Sequence, residues 1–71
     1  MKRVNITELK DNCYYIIKKY DGYIVGKVYL TSYGVYIFFP GNEVEEELTK
    51  EDELYGPIDL EKLVKEYNNE W

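Results

Sequence analysis

Three runs of β-branched and aromatic residues, 13–20, 23–30 and 35–39, dominate the first half of the chain, a pattern that favours strands over helices. Asp21-Gly22 lies between the first two runs and is the dipeptide that a two-residue hairpin turn prefers. A turn there sets Tyr15 opposite Val28, Ile17 opposite Gly26, Cys13 opposite Leu30, Tyr14 opposite Tyr29 and Lys18 opposite Val25. With Thr31-Ser32-Tyr33-Gly34 as a four-residue loop, Val35 falls beside Leu30, Ile37 beside Val28 and Phe39 beside Gly26. Side chains alternate between the two faces of a sheet, so these pairings sort the residues into two sets.

One face collects Cys13, Tyr15, Ile17, Ile24, Val28, Leu30, Val35, Ile37 and Phe39, and is the expected core. Gly26 sits among them, where a missing side chain admits a large neighbour. The other face carries Tyr14, Tyr29 and Tyr36 in one row, then Ile16, Lys27 and Phe38, with Lys18, Tyr20, Tyr23 and Val25 beyond. It is amphipathic and rich in aromatic rings.

Pro40-Gly41-Asn42 closes the third strand. Glu43 to Leu48 then reads as a fourth strand with Val44 and Leu48 inward and Glu43, Glu45 and Glu47 outward, which also turns Glu46 inward. Thr49, followed by Lys50, Glu51 and Asp52, resembles a helix start, and Gly56-Pro57 stops it after one or two turns. From Asp59, a competent N-cap, Leu60, Leu63, Val64, Tyr67 and Trp71 recur at helical spacing. Glu61 with Lys65 and Lys62 with Glu66 form i,i+4 pairs on its outer side. So short a helix is marginal alone, and docking its stripe on the sheet is the expected remedy. Residues 1–12, with Val4, Ile6 and Leu9, form either an edge strand or a helical turn. The expected fold is α+β: a three- to four-stranded antiparallel β-meander with a C-terminal helix packed on one face, in a single small globular domain spanning residues 1–71.

Composition narrows the functional classes. The chain has 71 residues, nine of them tyrosine, with net charge −5 and no histidine. One serine, Ser32, sits in an expected turn, and the one cysteine, Cys13, falls on the apolar face where burial makes a thiol inert, so a nucleophile beside a base is not expected. Zinc-ligand spacing is missing, the acidic run does not match a calcium loop, and the glycines form no phosphate-binding loop. The expectation is therefore a protein that is not an enzyme and carries no metal or cofactor. Its longest apolar run is about five residues, far below the ~18–20 of a membrane helix, and no signal-peptide stretch opens the chain. A cytoplasmic protein without membrane contact is expected.

Charge is unevenly placed. Residues 1–39 sum to +3 and residues 40–71 to −8. Glu43, Glu45, Glu46, Glu47, Glu51, Asp52 and Glu53 put seven acids into eleven residues, with Lys50 among them. Carboxylates on alternate strand residues recur about every 6.6–6.8 Å, comparable with the phosphate spacing of nucleic acid. A line of them is attracted to a Lys/Arg groove built for phosphates. The bland reading is a solvated edge that resists aggregation. Tyr14, Tyr29 and Tyr36 supply interface anchors, although cross-strand tyrosine pairs also stabilise a thin sheet by themselves.

These features together suggest a non-enzymatic acidic protein-binding module. Its most specific form is a small inhibitor that occupies the basic, nucleic-acid-binding surface of a partner protein through Glu43, Glu45, Glu46, Glu47, Glu51, Asp52, Glu53, Tyr14, Tyr29 and Tyr36. Phage anti-restriction and anti-CRISPR proteins that act as DNA mimics are similar in size and charge. The alternatives are a homodimeric module joined through the tyrosine face, and a small sheet that stacks single strands or nucleotides. A net negative charge disfavours direct nucleic-acid binding.

Overall fold

The computed structural model describes residues 2–19, 22–41 and 45–69. It contains six antiparallel strands and a C-terminal helix. The strands are β1 (Arg3–Val4), β2 (Cys13–Lys19), β3 (Gly22–Thr31), β4 (Gly34–Phe38), β5 (Glu45–Glu47) and β6 (Leu54–Ile58), and the helix is α1 (Leu60–Asn69). Their order in the sheet is β1-β6-β2-β3-β4-β5. The meander is therefore present, and β6 and β1 extend it on the β2 side.

Between β3 and β4 the pairing is the expected one, with Leu30 opposite Val35 and Val28 opposite Ile37. It continues to Thr31 opposite Gly34, so the connection is the two residues Ser32 and Tyr33. Between β2 and β3 the register is displaced by two residues: Cys13 pairs with Val28, Tyr15 with Gly26, and Lys19 with Gly22. Gly22 thus belongs to the strand, and the Asp21 half of the expected turn lies outside the described residues. A slip of two preserves which face each side chain occupies.

The inner face accordingly holds the core. Leu9, Tyr15, Ile17, Val28, Ile37, Phe39, Leu48 and Leu54 are buried. Tyr15 is fully enclosed, and its hydroxyl oxygen accepts the Lys10 N–H at 2.9 Å, tying the N-terminal segment over the core. Gly26 makes room as expected: a Cβ there would lie 2.6 Å from Ile37 Cγ1 and 3.1 Å from Phe39 Cδ1. Cys13 and Val35 are only half-buried. Ile24 and Leu30, expected inside, are 43 % and 41 % exposed. The reason is overhang. β3 outruns its neighbours, so Ile24 lies past the end of β4 and Leu30 past the start of β2.

The sheet also curls. Lys19 and Glu46 lie three strands apart, and the registers place Glu46 in line with Cys13, so in a flat sheet they would be about 14 Å apart across the strands and about 20 Å along them, yet Lys19 Nζ stands 3.0 Å from a Glu46 carboxylate oxygen and 3.9 Å from one of Asp52. Both side chains point inward, so the ion pair spans the concave side.

The segment from Thr49 is not helical. The Thr49 N–H donates to Asp52 Oδ2, the Asp52 N–H to the Thr49 carbonyl and the Glu51 N–H to Thr49 Oγ1, which closes a tight turn leading into β6. Gly56 and Pro57 lie within β6, joined by a cis peptide, beside the irregularity where β6 pairs with Tyr14 and Ile16. Gly56 has φ +142°, and a Cβ there would sit 2.9 Å from the Tyr15 ring, so both conformation and space call for glycine. The N-terminal segment contains both expected forms, the edge strand β1 and a 3₁₀ turn over Ile6–Glu8.

Helix α1 begins as expected, with Asp59 Oδ1 accepting the Lys62 N–H at 3.1 Å. Among the described residues of its stripe, Val64 and Tyr67 are not covered by the sheet, while Trp71 and the Leu63 side chain lie outside what the structure describes. Val64 is 55 % and Tyr67 61 % exposed, and Leu60 is half-buried. The sheet closes its concave side with Leu9, Leu48 and Leu54, which leaves no open apolar floor for a helix there. The molecule measures 42 × 26 × 24 Å, elongated as when an element is not folded back. No helix among the described residues is long and apolar enough to cross a membrane.

Candidate functional site

The outward face of β2 to β5 carries the residues singled out from sequence, in a changed arrangement. One row runs Tyr29, Tyr36, Glu47, and the next runs Tyr14, Lys27, Phe38, Glu45. The two-residue displacement takes Tyr14 away from Tyr29 and puts it opposite Lys27. The expected ladder of three tyrosines is thus a Tyr29–Tyr36 pair with Tyr14 on the diagonal.

Lys27 fills the corner. Its Nζ lies 5.6 Å from the centre of the Tyr14 ring and 5.7 Å from that of Tyr29, within cation–π range of both. Tyr14, Tyr29, Tyr36 and Phe38 are all half-buried. The face therefore offers ring edges and partial faces packed against one another.

The acidic segment divides. Glu45 and Glu47 project outward from β5 beside Phe38 and Tyr36, and both are exposed. Glu46 points to the other side and pairs with Lys19, which also approaches Asp52. Asp52 is further occupied in the Thr49 turn. Glu53 lies 4.0 Å from Arg3 and accepts the Tyr55 hydroxyl at 3.2 Å, while Glu51 is exposed on the turn. Glu43 lies outside the described residues. Of the acids expected to act together, the structure joins Glu45 and Glu47 to the aromatic face and commits Glu46 and Asp52 to holding the curl.

On the β6 side of the same face, Tyr23 and Tyr55 make an edge-to-face contact at 6.2 Å. Partial burial, then the adjacent Glu53 carboxylate and its hydrogen bond, raise the pKa of the Tyr55 hydroxyl above the usual tyrosine value. Its neutral, donating form is the one the fold favours.

Phe38 and Lys27 belong to this surface as much as the tyrosines do. Their signal was the strand alternation itself, which already puts them on the outward face between Tyr29, Tyr36 and the β5 acids. No protein-family model, curated protein or solved structure gives a significant match to this chain.

Proposed function

We propose that this chain is a non-enzymatic protein-binding module that lays the outward face of β3, β4 and β5 on a basic, nucleic-acid-binding surface of a partner protein and blocks it. The adjacency of Tyr36 and Glu47, and of Phe38 and Glu45, carries this reading: aromatic area for a dry contact lies directly beside outward carboxylates. Tyrosine and phenylalanine give contact area at little entropy cost, and the acids steer a cationic surface to them. Glu46 and Asp52 have a structural part in this scheme, because Lys19 already engages both.

The roles separate in one experiment. The protein is used to capture its partner, and the captured partner is then challenged with a fluorescent oligonucleotide. Wild-type protein is expected to exclude the oligonucleotide, with affinity that falls steeply between about 50 and about 500 mM salt. Glu45→Lys with Glu47→Lys is expected to weaken capture at least about tenfold, and Tyr36→Ala to weaken it without changing the salt slope. Affinity flat across that range, or an oligonucleotide that binds the partner undisturbed, would refute the reading.

A further inference from the structure

The two rows that cross β3, β4 and β5 on the outward face share one plan. Lys27, Phe38 and Glu45 make the first row, and Tyr29, Tyr36 and Glu47 make the second. Each has an aromatic ring on the middle strand, a hydrogen-bond donor on β3 and a carboxylate on β5. Glu45 and Glu47 are exposed, and the other four are half-buried. Lys27 is kept on this face by the rings of Tyr14 and Tyr29, 5.6 and 5.7 Å from its Nζ. Phe38 and two strand spacings, about 10 Å, separate Lys27 from Glu45 within the sheet. The charges on the two sides of β4 therefore stand apart.

We propose that this face pairs with the same face of a second copy, about a two-fold axis that runs along β4 between the two sheets. Such an axis reverses the order of strands while keeping each row in place. Lys27 of one copy then meets Glu45 of the other, and Glu45 meets Lys27. In the second row the Tyr29 hydroxyl is set to donate to the Glu47 carboxylate of the other copy, again twice over. Phe38 meets Phe38 and Tyr36 meets Tyr36 at the axis, where ring contacts add to the buried area. The complementarity needs only that β4 lie between a donor strand and an acidic strand, and an isologous contact doubles whatever one pair contributes. Aligned packing of two sheets, with strand directions about 30° apart, is the arrangement in which such an axis bisects the angle between them.

The contact is small. This is the convex side of a curled sheet, so two copies touch along β4 and part on either side of it, where only the long side chains of Lys27 and Glu45 reach across. Each chain also carries a net charge of −5, which opposes approach. An area below the ~1,200 Å² that marks the low end of stable complexes makes the association weak and reversible. It uses the face proposed above for a basic partner, and on that reading a paired copy is closed to the partner, leaving the single chain as the binding form. The pairing itself is read on the chain alone, so either proposal can fail without the other.

Sedimentation equilibrium on the full chain from about 10 µM to about 1 mM, in about 150 mM salt to screen the common charge, tests this. The average mass of the wild type is expected to rise from 8.5 kDa toward twice that value. K27E and E45K, each alone, set like charges against each other at both ends of the row and are expected to weaken association at least about fivefold. An equimolar mixture of K27E and E45K is expected to associate more tightly than either alone, because both ends of the row then join opposite signs. Both variants keep a net negative charge, and mixing changes nothing within either chain, so the gain reports pairing of these positions between copies. A wild-type mass fixed at 8.5 kDa, association that K27E and E45K leave unchanged, or a mixture no tighter than its components would each overturn the proposal.

Discussion

The β2–β4 meander and helix α1 each carry an apolar side in sequence, yet they meet opposite fates. Tyr15, Ile17, Val28 and Ile37 are completely buried, whereas Val64 and Tyr67 stand more than half exposed. The sheet supplies its own cover by curling, with Lys19 drawing β5 toward β2 and three leucines filling the hollow. A ten-residue helix has no such resource, because a single stripe cannot fold onto itself. Hydrophobic periodicity thus identifies the side of an element that seeks burial, and the surrounding topology decides whether this chain provides it.

Substitutions on the two sides of this contrast separate it most widely at Tyr15. Tyr15→Ala is expected to cost about 3–5 kcal/mol in urea unfolding, enough to unfold a domain of this size. Tyr15→Phe, which only removes the acceptor for Lys10 N–H, is expected to cost about 1–2 kcal/mol. Val64→Ala, measured at a concentration where the protein is dilute, is expected to shift stability by no more than about 0.5 kcal/mol. Equal losses at Tyr15 and Val64 would erase the distinction.

Next in size is Gly26→Ala. The added methyl would press on Ile37 and Phe39, and about 1–3 kcal/mol is expected in the same assay. Lys19→Met probes the curl itself. Its partners are partly solvated, so about 0.5–1 kcal/mol is expected, with a dependence on salt that Glu45→Gln and Glu47→Gln lack.

The smallest effect is a pH dependence at the sheet's other edge. Tyr55 has a raised pKa in the folded state, so its contribution is complete below the ordinary tyrosine value near pH 10 and disappears as pH climbs through the folded value. Thermal midpoints measured from pH 9 to pH 11 are expected to fall more steeply for the wild type than for Tyr55→Phe.

How far the amino-acid pattern carries is visible in the same elements. Both faces of the meander could be read because alternation is indifferent to a two-residue slip, and the β3–β4 pairing followed from a short loop between strong strands. The β2–β3 register was missed because Gly22 has the chemistry of a turn residue but extends the strand. β6 was hidden by Gly56-Pro57, a pair that ordinarily ends structure, and by a Thr49 turn whose hydrogen bonds imitate a helix cap. On the candidate surface, Tyr29 and Tyr36 were adjacent from the outset. The split between outward Glu45 and Glu47 and inward Glu46 follows from alternation, whereas the part Lys19 plays depends on curvature that no local pattern encodes.

The β2–β3 slip also sets a rule for how such a chain tolerates changes of length. Adding or deleting two residues in a hairpin leaves inside and outside as they were, and drift by pairs is nearly silent to the interior. An odd insertion that kept the turn's length would exchange the two surfaces of the strand that follows, putting tyrosine and lysine where isoleucine and valine belong. Only a turn that takes up the extra residue, as a three-residue loop with a bulge does, would spare the faces from an odd change.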